Sequence, residues 1–333
     1  MAKKQKDVIV ANPIYDVVFK NLLATSNGTN KVNASYFVGT ILGEEITDIE
    51  LLPQEYTYHA KLTKEGTKET ETLTVIRLDF VATIRTKSGE HKRVLIEIQK
   101  THKPTDLFRF RTYLGEQYKQ EEAAAENENK EKQPLPIVTI YMLGFTLPGI
   151  ESIALKVNRT YIDIIIYGDV ITNKDPFIES LTHDAYFIQI PRMNKDTYAD
   201  WENCSELKQM LSLFEQNYFV EENFLKKYPY PITNKNIKNM INTLEYIAVD
   251  PKVRRAMQEE YWAAQNEIIW ENQLTAMNNK NVILTSENVT LTNTVTTLSD
   301  ENVTLTNTVT TQSDRIAELE RILKQAGINF PSV

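Results

Sequence analysis

Two stretches of alternating residues flank a short turn, and they constrain the fold more than any other feature of the chain. In Leu78 to Arg85 and again in Arg93 to Lys100, every second side chain is apolar. A period of two is that of a β-strand, whose successive side chains point to opposite faces. The segment between them, Thr86 to His91, contains Ser88-Gly89 and is typical of a hairpin turn. The pattern therefore predicts an antiparallel pair of strands.

The predicted hairpin carries one acidic side chain within each apolar strand. Asp79 lies in the first strand and Glu97 in the second. An acid in such surroundings costs free energy unless it is paired, hydrated or bound to a cation. If the strands pair in register, Asp79, Glu97 and the backbone carbonyl of Ile98 form an oxygen cage suited to Mg²⁺ or Mn²⁺. The alternative is two carboxylates on an exposed strand face.

Three strings carry a resemblance to a known family. They are LDFVATIRTKSGEHKRVLIEIQK, the RFRTYLGEQY that follows it, and YDVVFKNLL near the amino terminus. Together they resemble the PD-(D/E)XK nuclease superfamily, specifically its transposase-like, recombination-promoting (Rpn-type) branch, over about residues 12 to 193. The superfamily motif is Asp on one strand and Glu/Asp-X-Lys on the next. Here Asp79 is followed by Glu97-Ile98-Gln99, so glutamine stands in place of lysine, as is common in this branch.

The resemblance implies a restriction-endonuclease-like fold, a mixed sheet flanked by helices. It also implies a divalent-metal-dependent DNA endonuclease in which Asp79 and Glu97 hold the metal and Gln99 is the third catalytic residue. A glutamine amide can orient water or a phosphate oxygen, but it supplies no positive charge. The alternative is a catalytically inactive module of the same fold that binds DNA or protein.

A predicted helix after the second strand supplies candidate phosphate contacts. It starts near Pro104, with Leu107, Phe110 and Tyr118 expected on the sheet and Arg109 and Arg111 outside. The resemblance makes Arg109 and Tyr113 the best candidates for holding a phosphate. Two lysines complete the predicted DNA-binding set, Lys100 and Lys20. Lys20 lies in a helix predicted over residues 15–24, where an ordinary ion pair with Asp16 is the alternative.

The charge distribution is uneven. The whole chain carries a net charge of −8 and has a pI of about 5.3, which argues against a uniformly basic nucleic-acid-binding surface. From Arg85 to Lys119, however, nine Lys and Arg outnumber four Asp and Glu, so this segment carries +5 and the rest −13. A basic segment beside a carboxylate pair suits phosphodiester chemistry. A solvated helix face is the alternative.

Other periodic segments fill out a mixed sheet with helices on its faces. A second helix is predicted at 33–42, a strand at 46–58, and a largely helical region at 191–250. Further strands are predicted at 135–143, 153–157, 161–167 and 186–190. Asp163 lies in the third of these and is interpreted as a strand or edge residue.

The carboxyl-terminal part contains a tandem repeat of fourteen residues, ENVTLTNTVTTLSD at 287–300 and ENVTLTNTVTTQSD at 301–314. Fourteen residues are two heptads, and twelve of the sixteen seam positions between Trp270 and Leu323 are apolar. The seam includes asparagine at three a positions, Asn281, Asn288 and Asn302. A β-structure is the alternative because threonine is a poor helix former. Continuity with DRIAELERILKQAG favours a parallel coiled coil and hence a homodimer.

These patterns predict three regions: a nuclease-like domain at 1–195, a helical extension at 196–265 and a coiled coil at 266–326. A single cysteine, Cys204, excludes an internal disulfide and a cysteine-based zinc site. The sequence has no apolar run of membrane-spanning length and no signal-peptide core. It therefore predicts a cytoplasmic protein.

Overall fold

A computed structural model describes residues 8–24, 28–52, 55–62, 70–77, 79–100, 104–119, 134–166, 168–222 and 224–327. The chain forms two compact units, Met1–Tyr261 and Trp262–Val333. The first unit includes the predicted nuclease-like domain and nearly all of the predicted helical extension. Apolar residues from both parts lie in one core.

The strands of the first unit are short to medium in length. In chain order they are β1 Val8–Ala11, β2 Ile46–Leu51, β3 Glu55–Leu62, β4 Thr70–Arg77, β5 Phe80–Thr86, β6 His91–Gln99, β7 Ile137–Leu143, β8 Ala154–Val157, β9 Tyr161–Ile162, β10 Val170–Ile171, β11 His183–Gln189, β12 Phe219–Glu221 and β13 Leu225–Tyr228. The α-helices are α1 Asp16–Leu23, α2 Gly28–Leu42, α3 Pro104–Lys119, α4 Pro176–Leu181, α5 Glu206–Leu211, α6 Lys235–Val249 and α7 Pro251–Gln325.

A six-stranded mixed sheet organises the first unit, in the order β2-β5-β6-β7-β11-β8. Strands β2, β5 and β6 are antiparallel, β6, β7 and β11 are parallel, and β8 returns antiparallel to β11. Parallel neighbours require a crossover connection, and α3 lies in the connection between β6 and β7. The predicted α/β class with a mixed sheet is therefore confirmed.

The predicted hairpin is formed by β5 and β6. Phe80 pairs with Ile96 and Val81 with Leu95, and the register continues to Arg85 and His91. In the turn, the Thr86 N–H donates to the Glu90 carbonyl at 2.9 Å. Gly89 has φ +89°, a left-handed conformation that glycine adopts without strain. The two alternating patterns and the Ser-Gly turn thus fold as predicted.

The two faces of the sheet are covered differently. One face contributes Phe80, Val94 and Ile96 to the main core, which also contains Val18 and Phe37 from the amino-terminal helices. The other face packs Val81, Leu95 and Ile137 against Tyr113 of α3. The alternation of β6 therefore places Glu97 on the α3 side and Ile98 on the main-core side, as the sequence predicts.

Two predicted strands differ from the structure. The strand predicted at 46–58 is two strands, because β3 leaves the sheet and pairs with β4 in a separate hairpin. The strand predicted at 161–167 ends at Ile162, because Asp163 turns the chain by accepting the backbone N–H groups of Ile165 and Ile166 at 2.8 and 2.9 Å. Asp163 is consequently a turn residue.

The region predicted as helical at 191–250 is largely not helical. It contains 3₁₀ turns, the short helix α5 and the strands β12 and β13 before α6 begins at Lys235. Strand β13 pairs with β1 at the amino terminus, from Val8 opposite Tyr228 to Ala11 opposite Leu225. This long-range pairing explains why the prediction of a helical region was wrong. The apolar residues here pack on a sheet as well as on helices, and the local pattern does not distinguish the two.

The second unit is helical through Gln325, which contradicts the β alternative for the repeat. Threonine hydroxyls along the repeat donate to the carbonyl four residues earlier, as Thr292 does to Asn288 at 2.8 Å. Such bonds satisfy the hydroxyl within the helix. Among the described helices, none combines the length and apolar content that crossing a membrane requires.

Candidate active site

Asp79 and Glu97 lie opposite each other at one end of the β5–β6 pair. Phe80 is the first paired residue of β5 and its partner is Ile96, so Asp79, just before Phe80, and Glu97, just after Ile96, come together there. The Ile98 N–H donates to Asp79 Oδ2 at 2.6 Å, which fixes the carboxylate beside the second strand. Asp79 thus contacts the backbone N–H of Ile98. The sequence had instead predicted a role for the Ile98 carbonyl.

Glu97 is held by a cation from α3. Its side chain is 4% exposed, and Arg109 Nη2 lies 3.0 Å from its Oε1. Glu97 pairs with Tyr141 of β7 along the parallel ladder, and its negative charge contributes to raising the pKa of that tyrosine, after the larger effect of burial. The glutamate is therefore a buried carboxylate in contact with a guanidinium.

A third acid, Asp16, joins these two, and the sequence analysis did not assign it to the site. It is the first residue of α1, and Lys20 Nζ pairs with its Oδ2 at 2.9 Å. Its other oxygen, Oδ1, is buried and has no hydrogen-bond partner among the described residues. The only signal in the sequence was its position in YDVVFK, where the spacing to Lys20 explained it as an ion pair. That ion pair is confirmed.

Electrostatics identify the three acids as one cluster. The pKa of Asp79 lies well above its usual value, first because of burial and then because of the negative charges of Glu97 and Asp16. The Ile98 N–H acts in the opposite direction by stabilising the carboxylate. Asp16 also approaches closely enough that a shared proton would hydrogen-bond the two aspartates. Such a cluster favours binding of a proton or another cation.

Glu260 in α7, within the first unit, reaches the amino terminus of α1. Its carboxylate oxygens accept the Asp16 N–H at 3.2 and 3.1 Å. The residue that caps α1, Tyr15, makes no side-chain capping bond of its own, so Glu260 supplies that function. Glu260 also pairs with Lys100, whose ammonium lies 4.7 Å from the centre of the Tyr15 ring. Sequence reasoning missed Glu260 because it is 244 residues from Asp16.

Gln99 is the last residue of β6 and is half-buried. Its backbone carbonyl accepts the Gly144 N–H at 2.8 Å. The structure gives its side-chain amide no hydrogen bond within the described part of the chain. By alternation Gln99 points to the same side as Glu97 at this end of the sheet.

The predicted phosphate contacts on α3 have different surroundings. Arg109 is half-exposed and bonded to Glu97, whereas Arg111 is exposed. Tyr113 is buried, with the Arg109 guanidinium 6.0 Å from its ring centre, which leaves little of its side chain for a phosphate. Phe110 is in the core as expected. The expectation for two other residues is wrong: Leu107 is 58% exposed, and Tyr118 is 37% exposed and hydrogen-bonded to His183.

The donor set fits a hard divalent cation in part. Within the described ranges, no three Asp, Glu, His or Cys side chains are arranged to hold a metal ion by themselves. Mg²⁺, however, binds through one or two carboxylates and keeps several water ligands. Asp79, with Glu97 opposite and the unbonded Asp16 oxygen beside it, provides carboxylates of that kind. Mg²⁺ or Mn²⁺ would therefore be held mainly by Asp79 and Glu97, with water completing the shell.

Taken together, fold and site define a mixed α/β protein with an acidic cluster at one end of its central sheet. Comparisons with protein-family models, with curated proteins and with solved structures find no match for this chain. The acidic cluster is therefore the feature that bears on function.

Proposed function

We propose that this protein is a divalent-metal-dependent DNA endonuclease with a PD-(D/E)XK fold of the transposase-like, Rpn-type branch. The observation that carries the proposal is the facing pair Asp79 and Glu97, with Asp16 close enough to raise the pKa of Asp79. Three acids so close together raise one another's affinity for a proton or a metal ion. The order of the motif, Asp on one strand and Glu-X-Gln on the next, supports the same assignment.

In the proposed reaction the chain's own side chains bind and orient the substrate. Asp79 and Glu97 hold the divalent ion, which when bound polarises a phosphodiester oxygen and lowers the pKa of a bound water. Gln99 orients the attacking water or a phosphate oxygen with its neutral amide. Arg109 fixes Glu97, and Asp16 adds negative charge that strengthens cation binding. Because Gln99 carries no charge, the chain depends on the ion for electrophilic stabilisation.

Contacts to the DNA backbone are assigned to cations around this cluster. Arg111 is exposed on α3, and Lys20 and Lys100 belong to ion pairs on the α1 side of the cluster. Their contribution would be independent of DNA sequence and would weaken with salt. The same proposal includes a role in transposition or recombination and a cytoplasmic location, where the single cysteine, Cys204, would remain reduced.

We also propose that the second unit forms a parallel two-stranded coiled coil. Leu291, Leu298 and Leu305 at d positions and Val295 and Val309 at a positions are each more than half exposed along the helix. A helix with an apolar seam of this length is stabilised by pairing with another helix. A homodimer would bring two sites to one DNA molecule, which a double-strand break requires.

One observation favours a second candidate, an inactive nuclease-like module. Glu97 is bonded to Arg109, and a cation would have to share that carboxylate with the guanidinium. If Arg109 permanently neutralises Glu97, the fold could bind DNA or protein without cleaving it. The two candidates differ in whether a divalent ion binds and whether DNA is cut.

The decisive experiment is incubation of the purified full-length protein with supercoiled plasmid and Mg²⁺ or Mn²⁺. Asp79→Ala should abolish nicking, and Glu50→Gln, an exposed acid on β2, should retain it. Equal nicking by Asp79→Ala and the parent, or nicking that persists in excess EDTA, would show that the activity does not come from this site. DNA binding without cleavage in any divalent ion would favour the inactive module.

A further inference from the structure

A cluster of exposed apolar side chains lies on the β9–β10 hairpin and the adjacent helix α4. The turn between β9 and β10 carries three consecutive isoleucines, of which Ile164 is 84% and Ile165 88% exposed. We call the following six residues the isoleucine patch: Ile162, Ile164, Ile165, Ile166, Phe177 and Leu181, all more than half exposed. Isolated apolar residues on a surface need no explanation, but several on two adjoining elements indicate an interaction site.

The hairpin is tied to the body of the first unit. Arg159, just before β9, pairs with Glu179 of α4 at 2.6 Å and with Asp184 of β11 at 2.8 Å. The Tyr161 hydroxyl donates to Glu179 at 2.5 Å. These bonds hold the base of the hairpin beside α4 and the central sheet. The patch is consequently presented on an organised support, which lowers the entropy cost of binding a partner.

Three charged residues that flank the patch already have hydrogen-bond partners within this part of the chain. Asp163 caps the turn by accepting two backbone N–H groups, and Asp175 accepts the Phe177 N–H at 2.9 Å at the start of α4. Lys174 donates to the Arg159 carbonyl at 2.9 Å. A partner therefore needs to offer apolar surface and no particular charge.

The local charge argues against an anionic partner. Between residues 159 and 181, four acids, Asp163, Asp169, Asp175 and Glu179, outnumber Arg159 and Lys174. DNA and anionic membrane surfaces are bound through excess lysine and arginine. The patch lacks that excess, so its partner is a protein surface.

The area of the patch matches one side of a standard protein interface. Burying an isoleucine side chain contributes about 2–3 kcal/mol, and apolar surface contributes about 25 cal/mol per Å², so a fully exposed isoleucine presents on the order of 100 Å² of apolar surface. The six partly exposed residues of the patch together present on the order of 400 Å². A stable interface buries about 800 Å² per partner, a little over half of it apolar. A partner of equal apolar area would complete such an interface.

We propose that this partner is a second copy of the chain, with two isoleucine patches packed across a two-fold axis. A two-fold interface requires a self-complementary surface, and an apolar patch with internally satisfied charges meets that requirement. Within the described residues, β10 pairs only with β9, so its outer edge can pair antiparallel with the same strand of the second copy. This contact is separate from the coiled coil and does not depend on nuclease activity.

The test uses the full-length chain with the coiled-coil seam disrupted by Leu291→Asp and Leu305→Asp. Sedimentation velocity over a dilution series should still show a dimer. Adding Ile164→Asp and Ile165→Asp should raise the dissociation constant by about 100-fold or more, because two buried side chains are replaced by charges. The control is Val249→Asp, an apolar residue at the end of α6 that is 73% exposed and should leave the dimer intact.

Cross-linking of the patch, in protein whose coiled-coil seam is intact, provides a second measurement. In a Cys204→Ser background, Ile165→Cys should form covalent dimers with a short bifunctional maleimide, and Glu50→Cys should not. The proposal is overturned if the seam-disrupted protein is monomeric at all concentrations, or if cross-linking at residue 165 does not exceed the control. Binding of anionic vesicles or DNA through the patch, without self-association, would also overturn it.

Discussion

Arg109 of α3 and Glu97 of β6 form an ion pair of 3.0 Å in which the glutamate is buried and the arginine half-exposed. The pair joins a predicted DNA-binding residue to a predicted metal ligand. Arg109 therefore has a positioning function that its place on an outward-facing helix did not suggest. Arg111, two residues later on the same helix, is exposed and provides a natural comparison.

The first prediction concerns this pair. Arg109→Ala should destabilise the fold by about 1–3 kcal/mol, because it removes an ion pair of the buried Glu97 carboxylate. Arg111→Ala should change stability by less than about 0.5 kcal/mol. Urea unfolding of both variants measures the difference. If Arg111 contacts phosphate, its loss should lower the slope of log K against log salt for DNA binding, and that slope is measured by fluorescence anisotropy.

The second prediction is that divalent ions stabilise the folded protein through Asp79, increasingly so at higher pH. The folded-state pKa of Asp79 is raised, so the folded protein holds this proton more tightly than the unfolded chain. Without metal, the contribution of Asp79 to stability is therefore lost as pH rises from the ordinary value of 3.8 through the raised pKa. A divalent ion that replaces the proton should raise Tm most where Asp79 is ionised.

Thermal unfolding with and without Mn²⁺, at a series of pH values, measures this effect. Asp79→Asn should remove most of the shift, and Glu50→Gln should preserve it. A shift that is the same in the parent and in Asp79→Asn would place the ion elsewhere. Because the readout is stability, it also tests metal binding if no DNA substrate is cleaved.

The sequence alone was sufficient for the local parts of this site. Asp79 and Glu97 were found because strand alternation and a Ser-Gly turn bring the start of the first predicted strand beside the end of the second. Asp16 and Glu260 were not, because each reaches the cluster by tertiary packing: α1 approaches the end of the sheet, and α7 approaches α1. The register of a hairpin is a local property, whereas the docking of helices on it is not.

The same distinction between local and long-range structure explains the errors in the predicted fold. The apolar stripe of α1 and the glycine that follows α2, Gly43, are local signals, and both helices form. The helical prediction for the segment after Pro191 was wrong because β13 forms by pairing with β1, more than 200 residues away. Asp163 was assigned to a strand because apolar residues stand on both sides of it, Ile162 before and three isoleucines after. The hydrogen bonds by which its side chain forms a turn depend on side-chain geometry.

The third prediction concerns Glu260. Glu260→Ala should destabilise the first unit by about 1–2 kcal/mol, because it removes the cap from α1 and the partner of Lys100. For a unit of this size that corresponds to a fall in Tm of about 2–8 °C. Glu259→Ala is the matched control, since its exposed pair with Arg255 should contribute about 0.5 kcal/mol or less. Equal effects of the two substitutions would contradict the capping role.

The fourth prediction is a pH dependence that comes from Lys226. This lysine is buried in β13 and donates to the Glu215 backbone carbonyl, and burial lowers its pKa from 10.5 to about 7, partly offset by the charge of Glu215. Between these values the unfolded chain binds more protons than the folded protein, so stability rises with pH. From pH 7 to 9 the contribution should be about 2–3 kcal/mol.

Urea unfolding across this pH range isolates the effect when the parent is compared with Lys226→Met. The variant should show a flatter dependence of unfolding free energy on pH. Lys227→Met, at the neighbouring half-buried position on the other face of β13, should keep the parent slope. A parent slope unchanged by Lys226→Met would mean that this lysine remains protonated in the folded state.

The last prediction tests the coiled coil through an asparagine at its seam. In the register that places leucine at d, Asn302 is at a and Asn307 is at the outward-facing f position. Asparagine at a disfavours alternative oligomers at a cost in stability, and valine at a favours two strands. Asn302→Val should therefore raise the Tm of the helical unit at a given protein concentration, whereas Asn307→Val should leave it unchanged or slightly lower it, because valine is no better a helix former than asparagine. Far-ultraviolet circular dichroism melts, with light scattering to determine the number of chains, measure both effects. If both substitutions had the same effect, or if the Tm of the second unit in the parent protein did not depend on protein concentration, the helix would not be paired along this seam.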